Sequence, residues 1–287
     1  MEAYPGGAEL VGACLSLRAS NSKSVSMVEK LHAAIAYEHK LRFHASPTDH
    51  PTLKLLMKSI RRHLTVPRSP VTPLNLEHLA KMNGHLRNAE NKCDLVVWRT
   101  VWRLNIEYYT LCRFSEVNQL TTEDLTFSAD PNSMITLRIK KSKTDQTGLG
   151  DYRQLYRVTD APNLCPVRLT REYLQRLCEH ESGKYIGSMQ PKVRHCVKLG
   201  KQIPIAKSVI AYSSCLEESK QLLSKLGILG RFGEHSGRRG GATAAAANGG
   251  STEDVQALGG WKSAKCATKY VETTATRKEK ISKLLYP

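Results

Sequence analysis

The stretch His235-Ser236-Gly237-Arg238-Arg239-Gly240-Gly241 holds residues whose types and spacing suit chemistry on a phosphate. A histidine and an arginine three positions apart at a helix start can face one phosphate together, the arginine as a planar fork of donors. Such a pair also arises in many basic proteins, where it reads as a solvated or DNA-contacting turn. Trp261 follows Leu258-Gly259-Gly260, and Tyr270 lies nine positions beyond it. A phenol, with an ordinary pKa of about 10, is a poor nucleophile at neutral pH. Tyr270 acting on a phosphate therefore needs neighbours that take its proton and stabilise charge on the attacked group. His235 suits the first task because imidazole titrates near working pH, and Arg238 suits the second. The bland alternatives are a Trp261 that fills a core gap and a Tyr270 that is a buried helix residue.

The elements that would position these residues are legible as patterns. Val97, Val101, Leu104, Tyr108 and Leu111 recur at helical spacing with one buried face, and Arg113 emerges where that helix ends. Thr121 with Glu123 and Asp124 reads as the start of a further turn. Ile135, Leu137 and Ile139 alternate with polar residues, and a turn through Lys143 to Gly150 leads to a second strand over 152–158, giving a small antiparallel sheet. Helices follow from Pro166, with Val167, Leu169, Tyr173, Leu174 and Leu177 inward, and over 209–226. Gly240-Gly241, Gly249-Gly250 and Gly259-Gly260 delimit short helices, one opened by a capping box of Ser251 and Asp254. At the other end, residues 24–63 read as helical and finish in the cluster Lys58, Arg61, Arg62 and His63. Pro67, Pro70 and Pro73 then mark a linker over 66–76.

The 43 Lys and Arg outnumber the 26 Asp and Glu, for a formal charge of +17, which favours a polyanionic partner. Nucleic acid is the first expectation. An anionic membrane surface would also attract the chain, but no apolar run approaches the roughly 20 residues needed to span a bilayer. Met-Glu-Ala-Tyr-Pro-Gly-Gly does not read as a secretory signal, so an intracellular protein is expected. The 8 cysteines include no C-x-x-C pair, which suggests reduced, mostly buried thiols. His195-Cys196 has no second ligand pair at useful spacing, so no metal site is expected.

Read in order, the chain resembles the tyrosine recombinases of the phage-integrase type. Arg113-Phe114-Ser115-Glu116 matches that family's R-x-x-E turn, and Lys143 in Lys-Ser-Lys-Thr-Asp matches its hairpin lysine. His235 and Arg238 match H-x-x-R, Trp261 the position after L-G-x, and Tyr270 the nucleophile. The resemblance implies a mainly α fold with a small antiparallel β-sheet (α+β), in which a catalytic domain over 77–287 follows a short, partial helical core-binding domain over 1–65. It implies that Tyr270 attacks a phosphodiester to leave a 3′-phosphotyrosyl enzyme and a free 5′ hydroxyl, and that attack by another strand's hydroxyl reverses the step. Arg113 and Arg238 would hold the non-bridging oxygens, Lys143 rather than Lys140 or Lys141 would protonate the departing 5′ oxygen, and Glu116 would support the site. Singly, Arg113 also reads as a helix cap and Glu116 as a partner of a surface lysine.

One phosphodiester linkage is conserved in the exchange, so neither a metal nor any other cofactor is expected. The implied partners are double-stranded DNA and, in the active state, further copies forming a homotetramer on two duplexes, with the basic stretch from Lys262 to Lys283 containing the helix passed to a neighbour. Lys58, Arg61, Arg62, Lys141, Arg239 and Lys262 are the DNA-contact candidates. The wording His-Ser-Gly-Arg-Arg-Gly-Gly-Ala-Thr resembles the DIRS-like and Crypton-like mobile elements of eukaryotes, which implies a nuclear site of action. Gly237 stands where the family often has an apolar residue, so a looser turn around Arg238 is expected. The helical stretch before the linker is short for a core-binding domain, so either the chain is a truncated copy or an upstream region completes it. The rival reading is a non-catalytic DNA-binding relic of such an element; a type IB topoisomerase fits the spacing less well.

Overall fold

In the computed structural model, which describes residues 6–65, 71–142, 145, 148–179 and 184–271, the chain divides into two units, Met1–Ser69 and Pro70–Pro287. The smaller unit carries helices α1 (Ala8–Ser20), α2 (Val25–Leu41) and α3 (Pro51–Leu64). The helical pattern over 24–63 is interrupted because Pro47 opens a 3₁₀ turn and Pro51 begins α3 at the position where a missing N–H is tolerated. Helix α1 escapes periodicity because its apolar residues lie all around it, and only Val11 and Leu15 are buried. They meet Val28, Leu53, Met57 and Ile60 in one small core. Lys58, Arg61 and Arg62 are exposed on α3, and Arg61 pairs with Glu29 of α2 at 2.9 Å.

The larger unit opens with α4 (Leu76–His85) and is built around α5 (Leu95–Thr110), which Asp94 caps by accepting from the N–H groups of Val96 and Val97. The expectation of one buried face is corrected here: α5 is buried nearly all round, Arg99, Arg103, Asn105 and Glu107 included. Such burial is sustainable because each of these side chains finds at least one partner, although Arg99 Nε, Arg103 Nε and Glu107 Oε2 have none among the described residues. Arg99 makes a two-pronged pair with Glu218 at 2.6 and 2.7 Å, Arg103 pairs with Glu107 at 2.7 Å, and Asn105 bonds to Asn83. Burial raises the pKa of Glu107, and Arg103 opposes that shift.

After α6 (Phe114–Asn118) come β1 (Leu125–Phe127), β2 (Met134–Ile139) and β3 (Asp151–Tyr156), an antiparallel sheet in the order β1-β2-β3 with Leu137 opposite both Leu125 and Arg153. Helix α7 (Pro166–Cys178) follows. A second, two-stranded sheet, β4 (Pro191–Cys196) with β5 (Lys201–Val209), has no counterpart in the sequence reading. Only Pro191 and Pro204 of that ribbon are buried, so it leaves no alternating pattern. Val209 is therefore the end of a strand, and α8 runs over Tyr212–Lys225.

The last third holds α9 (Ser236–Ala247), α10 (Thr252–Gly259) and α11 (Ala264–Thr268). Gly240-Gly241 does not delimit a helix but lies inside α9. Gly241 packs on the Tyr108 carbonyl and Gly240 on that of Leu74, each too close for a side chain. Leu74, at 1% exposure, belongs to the core, and its N–H donates to the Ser236 carbonyl at 3.0 Å; two residues earlier Thr72 donates to Arg231 at 2.8 Å. Residues 71–75 of the proline-rich stretch thus lie as a strap along the start of α9.

The cysteines are free thiols, but Cys14, Cys93 and Cys266 are exposed, more than the expectation of mostly buried thiols allowed. Among the described residues no cluster of His, Cys, Asp and Glu could hold a metal, and no helix is long and apolar enough to cross a membrane.

Candidate active site

Leu111 ends α5 in the left-handed conformation, at φ 52°, which a leucine adopts at a cost of roughly 1 kcal/mol. The turn makes Arg113 the N-cap of α6. There Arg113 and Glu116 form a reciprocal lock: the Arg113 N–H donates to Glu116 Oε2 at 2.7 Å, and its Nη1 meets Glu116 Oε1 at 2.5 Å. Ser142 closes the set, donating to Glu116 Oε1 at 2.8 Å and accepting from Arg113 Nη1 at 3.0 Å. Glu116 is thus a buried partner of Arg113 rather than of a surface lysine.

Arg238, in the first turn of α9, is fully buried. Its Nη1 donates to the Leu111 carbonyl, and its Nη2 to that of Gly259 at 2.9 Å, so the left-handed turn aims a carbonyl at the guanidinium. Glu116 Oε2 lies 3.9 Å from Nη1 and so sits between the two arginines, where its charge offsets their repulsion. Burial and the neighbouring Arg113 lower the Arg238 pKa to about 10, which leaves it charged at neutral pH. Gly237 does not loosen this turn. A Cβ at 237 would stand 2.7 Å from that of Glu107, so α9 approaches α5 as closely as it does because residue 237 has none.

The aromatic side chains stack on this guanidinium. The Trp261 ring folds back over Gly259, which lacks the side chain that would block it. The Arg238 Cζ lies 4.1 Å from the Trp261 ring centre and 5.2 Å from that of Tyr270. Tyr270 is 5.0 Å from Trp261 and meets the half-buried His235 ring edge-on at 5.8 Å. Arg239, read as a DNA contact or surface charge, donates to the Lys269 carbonyl at 3.3 Å, and Thr243 donates to that of Tyr270 at 3.4 Å. Both hold the tyrosine's backbone against α9. Nε of Arg238 and Nε1 of Trp261 are buried with no hydrogen-bond partner among the described residues, which leaves two donors unused.

The structure therefore brings Arg113, Glu116, His235, Arg238, Trp261 and Tyr270 to one place. Lys143 lies outside the described residues, as does the tail beyond Val271. Lys141 and Lys262 are exposed. Ser142 and the carbonyls of Leu111 and Gly259 were missed: a carbonyl has no signature in sequence, and nothing in the spacing singles out that serine.

A profile of the phage integrase family matches residues 78–277. The chain belongs to the phage integrase family. This family, the tyrosine recombinases, accounts for the order of the clustered residues, and the fold agrees with solved members. The chain is similar to the Tn1549 transposon integrase in complex with transposon right end DNA (TM-score 0.58, 14% identity, covering 98% of this chain and 86% of that one). It is similar to a lambda integrase dimer bound to a COC′ core site (TM-score 0.57, 12% identity, 96% and 83%). The XerH site-specific recombinase in a post-cleavage complex with difH substrate is a third (TM-score 0.52, 16% identity, 84% of this chain); this chain spans 65% of that one's length. No curated protein sequence matches significantly.

Proposed function

We propose that this phage integrase family protein is a site-specific DNA recombinase that cuts and rejoins strands through a covalent bond from Tyr270 to a 3′ phosphate. The observation that carries the reading is the convergence of Tyr270, His235 and Trp261 on the buried Arg238, with Arg113 held beside it by Glu116. In this reading the Tyr270 oxygen attacks the phosphorus and the bond to the 5′ oxygen breaks. His235, next to the phenol ring, takes the phenolic proton. Arg113 and Arg238 neutralise the non-bridging oxygens, and the unused Trp261 N–H is available to a third donor position. Lys143, assigned by resemblance alone, protonates the departing 5′ oxygen. Attack by a 5′ hydroxyl on the phosphotyrosyl bond restores the phosphodiester, so the exchange needs no external energy source.

Double-stranded DNA is the substrate, as the charge of +17 and the DNA-bound neighbours support. The wording of the His235 motif supports a mobile-element context and a nuclear site of action if the source is eukaryotic, and analogy with the family supports assembly as a homotetramer on two duplexes. The test is trapping on a nicked suicide substrate drawn from DNA flanking the gene or from a randomised pool. The wild type is expected to give a denaturant-resistant adduct mapped to a 3′ phosphate, and Tyr270→Phe none. Tight DNA binding without an adduct on any substrate would reject the enzyme in favour of a DNA-binding relic.

A further inference from the structure

Beside the two clustered arginines lies a third that the family motif does not contain. Arg153 stands on β3 between the exposed Tyr152 and Gln154, yet its own side chain is only 12% exposed. Its Nη1 pairs with Asp151 at 2.6 Å and donates to the Tyr152 carbonyl at 3.0 Å. Its Nε is buried and unpartnered among the described residues. Gly260, at φ +62°, admits the guanidinium, since a Cβ there would come within 2.5 Å of Arg153 Nη2. The turn that delivers Trp261 is therefore shaped around Arg153. Arg153 and Arg113 line one open cavity of about 280 Å³, with Ser142, Trp261 and Lys262 also on its wall.

An arginine that served only solubility would extend into water rather than lie beneath a glycine. The two guanidinium groups share the cavity with the carboxylates Glu116, Asp145 and Asp151, so an entering phosphate has to take the place of Asp151 at Arg153. Glu116 is committed to Arg113, and Asp151, nearly half exposed, can give up its partner to solvent at little cost. We propose that Arg153 binds a backbone phosphate of the DNA next to the one attacked, as a substrate-holding contact that sets the strand in register for Tyr270. The ligand class is a phosphodiester monoanion, whose two non-bridging oxygens suit a planar fork. The inference rests on the recombinase reading above.

The test is a methylphosphonate scan of the suicide substrate, in which each phosphate near the cleavage point is made neutral in turn and adduct formation is timed in a single turnover. In the wild type one phosphate beside the scissile one is expected to show a loss of roughly tenfold or more when neutralised, the scale of a charge-assisted hydrogen bond. In Arg153→Gln that penalty should vanish at this phosphate and persist at the others. A profile parallel to the wild type at every position overturns the proposal, whatever the overall rate, because a merely structural role does not select one phosphate. If Arg153→Gln does not fold, Arg153→Met, which keeps the stem on the sheet, is scanned with the same two outcomes. A wild type that forms no adduct on any substrate removes the recombinase reading and this contact with it, whereas an adduct with parallel profiles removes this contact alone.

Discussion

At the scale of single residues the site turns on how a guanidinium stays charged while buried. Arg238 is brought down to about 10 by its burial and by Arg113, still well above neutrality. A lysine ammonium starts lower, at about 10.4, so the same surroundings bring it toward the working range. Arg238→Lys is expected to slow single-turnover adduct formation at least about a hundredfold. Its remaining rate should fall as pH rises from about 7 to 9, since the ammonium helps only while protonated. A remaining rate that does not decline over that range would show that the ammonium stays charged in this setting. The side chains that converge on Arg238 were legible in the sequence because the expected chemistry restricts their types and short elements set their intervals. Ser142 and Arg153 were not, because a serine and a strand arginine acquire meaning only from what the fold places beside them. The Leu111 carbonyl was still less legible, being common to every residue.

At the scale of elements, the helix that carries Arg238 is seated by what it lacks. Gly237 and Gly241 let α9 rest on the backbone and Glu107 of α5, and Glu107 is itself buried against Arg103. Gly237→Ala would gain up to about 1 kcal/mol of helix propensity but must displace the Glu107 side chain or the helix. The expected net loss is about 1–3 kcal/mol, read as a shift in the urea midpoint; an unchanged or raised midpoint would show that α9 has room to spare. The sequence showed α5 as amphipathic because its polar residues looked like a solvated face. Their burial depends on partners more than a hundred positions away, such as Glu218 and Ser219. The first sheet was readable because one face is buried, whereas the β4–β5 ribbon, with two buried residues, offered no period to find.

At the scale of the whole molecule, the proline-rich stretch is more than a spacer. Leu74 is part of the main core, and its backbone is bonded to Ser236. Leu74→Ala should cost about 2–5 kcal/mol and weaken adduct formation along with stability. A variant with wild-type stability would mean that the strap contributes little. Prolines and a change of periodicity were the signals that led the sequence reading to expect a small helical unit before a larger mixed one. The start of the larger unit left no such signal, because a strap with no regular structure of its own has no period.

The strap also has a mechanical consequence. The covalent thread that leaves the larger unit toward the smaller one passes over the Ser236 carbonyl, one residue from His235 and two from Arg238. Tension on that thread therefore meets the Thr72–Arg231 bonds first and then the Leu74–Ser236 bond, at the end of α9 that carries His235 and Arg238. A fragment cut to begin at α4 would keep every side chain of the site, yet its active-site helix would have lost its tether.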